Sequence, residues 1–159
     1  MRTAAEWFER YGESHRDPVN KAIHWVCIPV ILTTTLGLLQ ALPHPFGDQP
    51  HLHWGTIVAL LALGFYARLS LTLALGMAVV SLGALVVNHL IVAVGLPLAT
   101  SSALVFAVAW VLQFIGHKVE GKKPSFLEDL QFLLIGPAWL LQFVYAKVGI
   151  PVERSPRGS

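Results

Sequence analysis

The sequence places an imidazole and a carboxylate together at the end of a long apolar run. His117 and Glu120 are three residues apart, and Gln113 precedes His117 by four. On a helix these spacings put all three side chains on one face. An imidazole and a carboxylate so placed suit a metal site or an acid/base pair. The alternative is a hydrated, charged helix end at the surface of an apolar layer.

A second polar stretch lies near the N-terminus. Asp17 followed by Pro18 predicts the start of a helix, with Asp17 as the N-cap and Pro18 in the first helical position. On that helix Asn20 and His24 are one turn apart on one face, and His15 stands just before the cap. His24 is already inside an apolar run, where an ionisable residue is a functional candidate.

The elements that must position these residues are those of a membrane protein. The 159 residues are 55% hydrophobic and 13% charged, against roughly 25% charged in an ordinary soluble domain. Mean hydropathy is +0.63. We predict one all-α, polytopic integral-membrane domain over residues 1–150 and a polar, disordered tail over residues 151–159. The net charge of +2 gives no indication of a nucleic-acid partner, and the single cysteine, Cys27, excludes an internal disulfide and a cysteine-based zinc site.

Apolar runs predict about four membrane spans in a helical bundle. They cover four ranges, of which the second is short for a span: 22–42, 54–67, 71–96 and 98–116. The loop at 43–53 contains three prolines and a glycine, which forbid regular structure there.

Two further helical segments are predicted outside the spans. Trp7, Phe8 and Tyr11 form an aromatic stripe on an N-terminal helix, which would lie at the membrane interface with its rings at headgroup level. A last apolar run, 126–148, contains Gly136-Pro137, and this break favours a re-entrant or interfacial helical hairpin.

The distribution of Lys and Arg orients the spans. Cations cluster before the first span, at Arg68 and after His117, whereas the loops at 43–53 and 95–101 contain none. The positive-inside rule therefore puts the N-terminus and both polar stretches on the cytoplasmic side. That side belongs to the inner membrane if the source is a bacterium and to the endoplasmic reticulum if it is a eukaryote.

Imidazoles gathered at one membrane face make a site for ferrous iron or another divalent first-row metal. His15, His24 and His117 are the predicted ligands. Three residues could fix the second ring nitrogen of a ligand: Asn20, Gln113 and Glu120. The alternative is that His24 and His117 are structural histidines bonded to backbone carbonyls.

The remaining histidines are weaker candidates. His89 also lies in an apolar run, but about 20 residues at 1.5 Å each separate it from Arg68 and place it roughly 30 Å away, near the opposite face. A histidine beside Asn88 that bonds a neighbouring helix is the preferred interpretation. His51 and His53 form a His-x-His pair next to a proline, and we predict solvated loop residues.

Two motifs together resemble the Mpo-type 2-hydroxy fatty acid dioxygenases. They are Tyr11…His15-x-x-Pro18-x-Asn20-x-x-x-His24-x-x-x-x-Pro29 and Gln113-Phe114-Ile115-Gly116-His117…Glu120-Gly121-x-x-Pro124. The resemblance covers roughly residues 6–150. It implies a multi-pass membrane enzyme that uses ferrous iron and molecular oxygen to shorten a 2-hydroxy fatty acid by one carbon, which is an α-oxidation.

For such a reaction a lipid substrate would keep its chain in the bilayer and present its carboxylate and 2-hydroxyl at the cytoplasmic interface. Iron could take both oxygens and keep a position open for dioxygen. Glu120 and Asn20 are the predicted catalytic residues. Lys21 and Lys118 could hold the carboxylate, although positive-inside topology also explains lysines at this face.

Two other interpretations remain. A non-enzymatic membrane scaffold or small transporter, in which the histidines are structural, predicts a protein without bound metal. A di-iron desaturase or hydroxylase would need clustered His-x-x-His-His boxes, and the seven histidines of this chain form none.

Overall fold

The computed structural model describes residues 2–44, 52–127 and 129–152. Over these residues the chain forms helices and no strand, which confirms the all-α prediction. The α-helices, numbered in chain order, are α1 (Ala4–Gly12), α2 (Pro18–Gln40), α3 (Trp54–Leu69), α4 (Leu71–Ala93), α5 (Leu98–Glu120) and α6 (Phe132–Val148). A short 3₁₀ helix, Ser125–Leu127, connects α5 to α6.

Among the described helices, α2, α4 and α5 are long and apolar enough to cross a membrane. Helix α3 has 16 residues, which at 1.5 Å each give about 24 Å, less than the roughly 30 Å of a hydrocarbon core. The described residues therefore contain three helices of spanning length, whereas four spans were predicted. Their outer faces carry exposed apolar side chains such as Val79 and Leu104, which is compatible with a membrane protein.

Helix α2 begins as predicted and packs most extensively against α5. The Asp17 carboxylate accepts hydrogen bonds from the N–H groups of Val19, at 2.8 Å, and Asn20, at 3.1 Å, and Pro18 is the first helical residue. This cap sets where α2 starts. It therefore sets which α2 side chains face the end of α5.

Contacts between the helices define two ends of the bundle. At one end Tyr66 of α3 donates a hydrogen bond to the carbonyl of Leu134 in α6, at 2.7 Å. At the other end Asn88 of α4 donates to the carbonyl of Thr33 in α2, at 3.0 Å. Thr33 lies nine residues after His24, or about 13 Å along the helix. Asn88 and the following His89 therefore belong to the end distant from His24.

The predicted hairpin at Gly136-Pro137 is wrong, because α6 runs through both residues as a single helix. Pro137 lies in the second turn, where its ring removes one backbone hydrogen bond without ending the helix. Gly136 gives Tyr11 of α1 room to approach, since a Cβ there would lie 3.0 Å from the Tyr11 hydroxyl. The glycine therefore marks a close helix contact, not a turn.

The aromatic stripe of α1 packs inside the protein, whereas we expected its rings to contact the membrane interface at headgroup level. Trp7 meets Phe132 of α6 edge to face, with ring centroids 5.1 Å apart. Tyr11 packs on Trp139, with centroids 5.3 Å apart. Large aromatic rings can bury their apolar area against another helix. Here α6 supplies that contact surface.

His53 is buried and caps α3, so the prediction of a solvated loop residue is wrong for this histidine. Its Nδ1 accepts a hydrogen bond from the N–H of Thr56, at 3.2 Å. This satisfies one of the free donors at the start of the helix. His51 and most of the predicted loop, residues 45–51, lie outside the described residues.

Most of the predicted polar tail, residues 153–159, also lies outside the described residues. The start of the predicted tail is attached to the bundle, because the Ser70 hydroxyl donates a hydrogen bond to the carbonyl of Val152.

Candidate metal centre

Three histidines from three segments converge in the interior. His15 follows α1, His24 lies in the second turn of α2, and His117 lies in the last turn of α5. The atoms that each could offer as a ligand all lie within 4.8 Å of one another. The ring centroids are 4.3 Å apart for His15 and His24, 4.8 Å for His24 and His117, and 5.1 Å for His15 and His117. All three side chains are at most 5% exposed.

Backbone carbonyls orient two of the rings. His15 Nδ1 lies 2.6 Å from the Tyr11 carbonyl oxygen, and His24 Nδ1 lies 2.9 Å from the Asn20 carbonyl oxygen. A carbonyl can only accept, so in each neutral ring Nδ1 carries the hydrogen and Nε2 keeps its lone pair. This is the arrangement in which a histidine binds a metal through Nε2.

The centre leaves ring nitrogens without partners. His15 Nε2 and His117 Nδ1 are buried and have no hydrogen-bond partner within the described parts of the chain. An unpaired buried polar atom costs about 1–3 kcal/mol. Burial lowers the pKa of His15 to about 4, although the bond to the Tyr11 carbonyl opposes the shift, so this ring is neutral at pH 7. Neutral imidazoles with unused nitrogens close together fit a divalent first-row metal ion.

Glu120 joins the end of α5 to the start of α2. Its Oε1 accepts a hydrogen bond from the N–H of Arg16 and its Oε2 from the N–H of Asp17, both at 2.8 Å. Asn20 Nδ2 donates to the same Oε2, at 3.2 Å. Both carboxylate oxygens thus hold the segment that carries His15. The predicted catalytic role of Glu120 and Asn20 stays a prediction, whereas this positioning role follows from the contacts.

Gly116 supports the geometry of the centre, although the sequence analysis gave it no role beyond its place in the second motif. A Cβ at this position would lie 2.4 Å from Asn20 Oδ1, so α5 can approach α2 at this level only without a side chain. Asn20 is fully buried, and its carbonyl accepts the bond from His24. The glycine immediately before His117 was the available sequence signal. However, Asn20, the residue that it approaches, lies 96 residues earlier in the chain.

The structure does not bring the other predicted residues into the centre. His89 is exposed on the outside of α4, and it is not part of the histidine cluster found among the described residues. Lys118 is exposed and Lys21 is half-buried. Neither lysine lines the cavity described next.

A cavity of about 450 Å³ extends from the histidines into the bundle. His24 and His117 line one end, and α2 lines the wall as far as Leu36, which is about 18 Å further along the helix. At that distance Leu36, Ala59 and Ala84 pack together. Pockets that bind small molecules hold roughly 300–1,000 Å³. The lining is mainly apolar and has two histidines at one end, which suits a single hydrocarbon chain with a polar head.

The fold and the centre together define an all-helical protein with helices of membrane-spanning length and a histidine cluster fit for a metal. Residues 1–148 match the model of the family described as 2-hydroxy-palmitic acid dioxygenase Mpo1-like, and the chain belongs to this family. The resemblance inferred from the two histidine motifs is thereby confirmed. No curated protein and no solved structure matches the chain.

Proposed function

We propose that this protein is a ferrous-iron-dependent dioxygenase that shortens 2-hydroxy fatty acids by one carbon. The observation that carries the proposal is the cluster of three buried imidazoles, two of which line one end of a mainly apolar cavity. His15 and His117 each have a buried ring nitrogen without a partner in the described structure. The description of the family as a 2-hydroxy-palmitic acid dioxygenase supports the reaction and the substrate class.

His15, His24 and His117 would hold the metal, each through one ring nitrogen. A set of imidazoles without thiolate suits ferrous iron, which when bound supplies redox chemistry with dioxygen and open positions for substrate oxygens. The buried setting of the histidines keeps bulk water away from the reacting end of the substrate.

The cavity would hold the acyl chain and fix which end of the substrate meets the histidines. Apolar side chains of α2 such as Ile28 and Leu32 line the cavity between its two ends. Burying hydrocarbon there contributes about 25 cal/mol per Å². The carboxylate and 2-hydroxyl are then left at the histidine end.

The reaction balances with dioxygen as the sole oxidant. A 2-hydroxy acid and dioxygen give the acid one carbon shorter, carbon dioxide and water. The bond between C1 and C2 breaks, C2 is oxidised to the new carboxyl carbon, and dioxygen is reduced.

We place the enzyme in a membrane that α2, α4 and α5 cross, with the shorter α3 returning the chain from the distant end to the histidine end, so that the start of α2 and the end of α5 share the cytoplasmic side. The length and apolar surface of these helices support this location. So does the distribution of lysine and arginine in the sequence.

The direct test is an assay of 2-hydroxypalmitic and palmitic acids with the purified protein, ferrous iron and oxygen, followed by mass spectrometry of the products. We expect shortening of the 2-hydroxy acid alone, because a site built around a hydroxyl strongly rejects the analogue that lacks it. Shortening of both acids at similar rates would contradict the proposed role of the hydroxyl. Shortening of neither, with iron bound, would leave a metalloprotein of another function.

A further inference from the structure

The cavity reaches the outside of the protein between α5 and α6. A side chain that lines a cavity and is also exposed marks the rim of an opening. Three such side chains lie on this side: Phe114 of α5, Leu130 just before α6, and Leu133 at the start of α6. Among the described lining residues one more is exposed, Val58 of α3, near the distant end.

The packing of the helices explains why the cavity opens at this place. Helix α6 packs against α1, α2 and α4, whereas α5 packs chiefly against α2. The two successive helices are therefore held by different partners and leave a cleft between them. Side chains from both helices line the cavity along this cleft.

The ring of Phe126, on the short 3₁₀ helix, covers the cleft from outside. It lines the cavity and is half-buried. Its centroid lies 4.9 Å from that of Trp110 and 6.4 Å from that of Phe114. The backbone beside it is anchored, because the hydroxyl of Ser125 lies 2.6 Å from that of Ser14. Single ring contacts are weak, so the ring can turn aside while the short helix stays in place.

The cleft lies deeper in the bundle than the histidines. Trp110, which the Phe126 ring contacts, precedes His117 by seven residues, or about 10 Å along α5. Because α5 is one of the helices proposed to cross the membrane, the cleft faces the layer of lipid tails. The exposed side chains at its rim are apolar, which suits contact with lipid.

We infer that the fatty acid enters the cavity sideways from the lipid layer, between α5 and α6, and that the Phe126 ring moves aside to admit it. On this route the tail slides between the helices while the polar head stays at the level of the histidines. The chain never passes through water, where its whole apolar surface would be exposed. The fatty acid and the membrane location rest on the proposed function, whereas the opening and its cover are read from the structure.

The test measures how fast tritiated 2-hydroxypalmitic acid binds to and leaves the iron-loaded protein in lipid nanodiscs without oxygen, with empty nanodiscs subtracted. In Leu133→Cys, modification with benzyl methanethiosulfonate adds a bulky group at the rim. We expect association and dissociation both to slow at least about tenfold at unchanged Kd, because an obstacle on a path hinders both directions equally. A reducing agent, which removes the group, should restore both rates.

Matched variants separate an effect on the route from a general effect of the added group. Val144→Cys is the control on the same helix, because Val144 is 44% and Leu133 46% exposed, and only Leu133 lines the cavity. Its modification should leave both rates unchanged. Wild-type protein treated with the reagent controls for Cys27. Phe126→Ala should raise both rates, and iron content verifies that the histidine centre has formed in every variant.

Wild-type rates in modified Leu133→Cys would overturn the lateral route, and wild-type rates in Phe126→Ala would overturn the role of the ring. A changed Kd at an unchanged association rate would also overturn the inference, because Leu133 would then belong to the binding site and not to the route. Slowing by the same group at Val58→Cys alone would place the entrance at the distant end.

The proposed function fails independently of this inference. Protein that binds the acid at rates set by Leu133 and Phe126, but never shortens it in oxygen, would remove the reaction and leave the route standing. Normal shortening together with wild-type binding rates in modified Leu133→Cys would do the reverse.

Discussion

In His15 and His24 the two ring nitrogens have different roles. His15 and His24 donate through Nδ1 to a carbonyl four residues earlier, and Nε2 remains for a ligand. The sequence analysis weighed a metal site against structural histidines bonded to carbonyls. The carbonyl bonds are present, and they are compatible with a metal site because they fix the tautomer that exposes Nε2.

Glu120 offers a residue-scale prediction. In Glu120→Gln one oxygen becomes an amide that faces a backbone N–H, so the segment carrying His15 loses a hydrogen bond of about 1 kcal/mol. We expect a lower unfolding temperature and iron affinity reduced by about tenfold, measured by thermal unfolding and metal titration. Glu9→Gln, on the exposed face of α1, is the control. Complete loss of iron at unchanged stability would instead identify Glu120 as a ligand.

Residue types and spacing predicted the three histidines, but they did not predict the contacts around them. His53 was missed because its role depends on where α3 begins, and the surrounding prolines and glycine indicated only a loop. Gly116 was missed because its importance comes from Asn20 on another helix. Such contacts are set by tertiary packing, which local sequence does not encode.

At the scale of elements, the centre depends on how closely α2 and α5 approach each other. We predict that Gly116→Ala destabilises the protein by about 1–3 kcal/mol, because the new methyl group overlaps Asn20. Asn20 cannot easily move, since its amide is bonded to the Ser14 carbonyl and to Glu120. Thermal unfolding and iron content measure the effect, and both should fall.

Gly83→Ala is the matched control on α4. No described atom lies within 4 Å of a Cβ built at Gly83, and alanine is favoured over glycine within a helix by about 0.5–1 kcal/mol. We expect unchanged or slightly higher stability and unchanged iron content. Equal behaviour of the two alanine variants would show that the approach of α2 to α5 tolerates a side chain at position 116.

Hydrophobic patterning was sufficient to predict the helices, but it did not identify their partners. The stripe on α1 was recognised, yet α6 covers it. The pair Gly136-Pro137 was interpreted as a turn from its local signal, whereas contact with Tyr11 explains the glycine. In both cases a neighbouring helix overrides the local preference.

At the scale of the whole molecule, the cavity is the feature that no sequence pattern reveals. Its walls come from α2, α3, α4, α5 and α6 together. The residues that line it are mainly apolar, as are many of those that face outward on the same helices. Sequence therefore predicted the histidine end of the site and not the cavity beside it.

The end of the cavity distant from the histidines predicts a limit on chain length. Ala59 is 7% exposed and packs against Leu36 at that end, so Ala59→Phe should fill space needed by the tail of a long chain. We expect kcat/KM for 2-hydroxypalmitic acid to fall at least about tenfold relative to 2-hydroxydecanoic acid, since excess volume in a packed site costs about 1–3 kcal/mol. Iron content should not change.

Leu61→Phe is the control for this prediction, because Leu61 lies on the same helix and is 71% exposed. It should leave the chain-length profile as in the wild type. If Ala59→Phe also gave the wild-type profile, the acyl chain would have to lie outside this cavity.

The central claim is that His15, His24 and His117 hold one iron, and elemental analysis of protein purified without chelators tests it most directly. We predict iron in the wild type after loading with ferrous iron, and its loss from His24→Ala and His117→Ala. His89→Ala should retain it, since this exposed residue lies at the distant end of the bundle. Wild-type protein without iron, or His117→Ala with the same iron content as the wild type, would contradict the account.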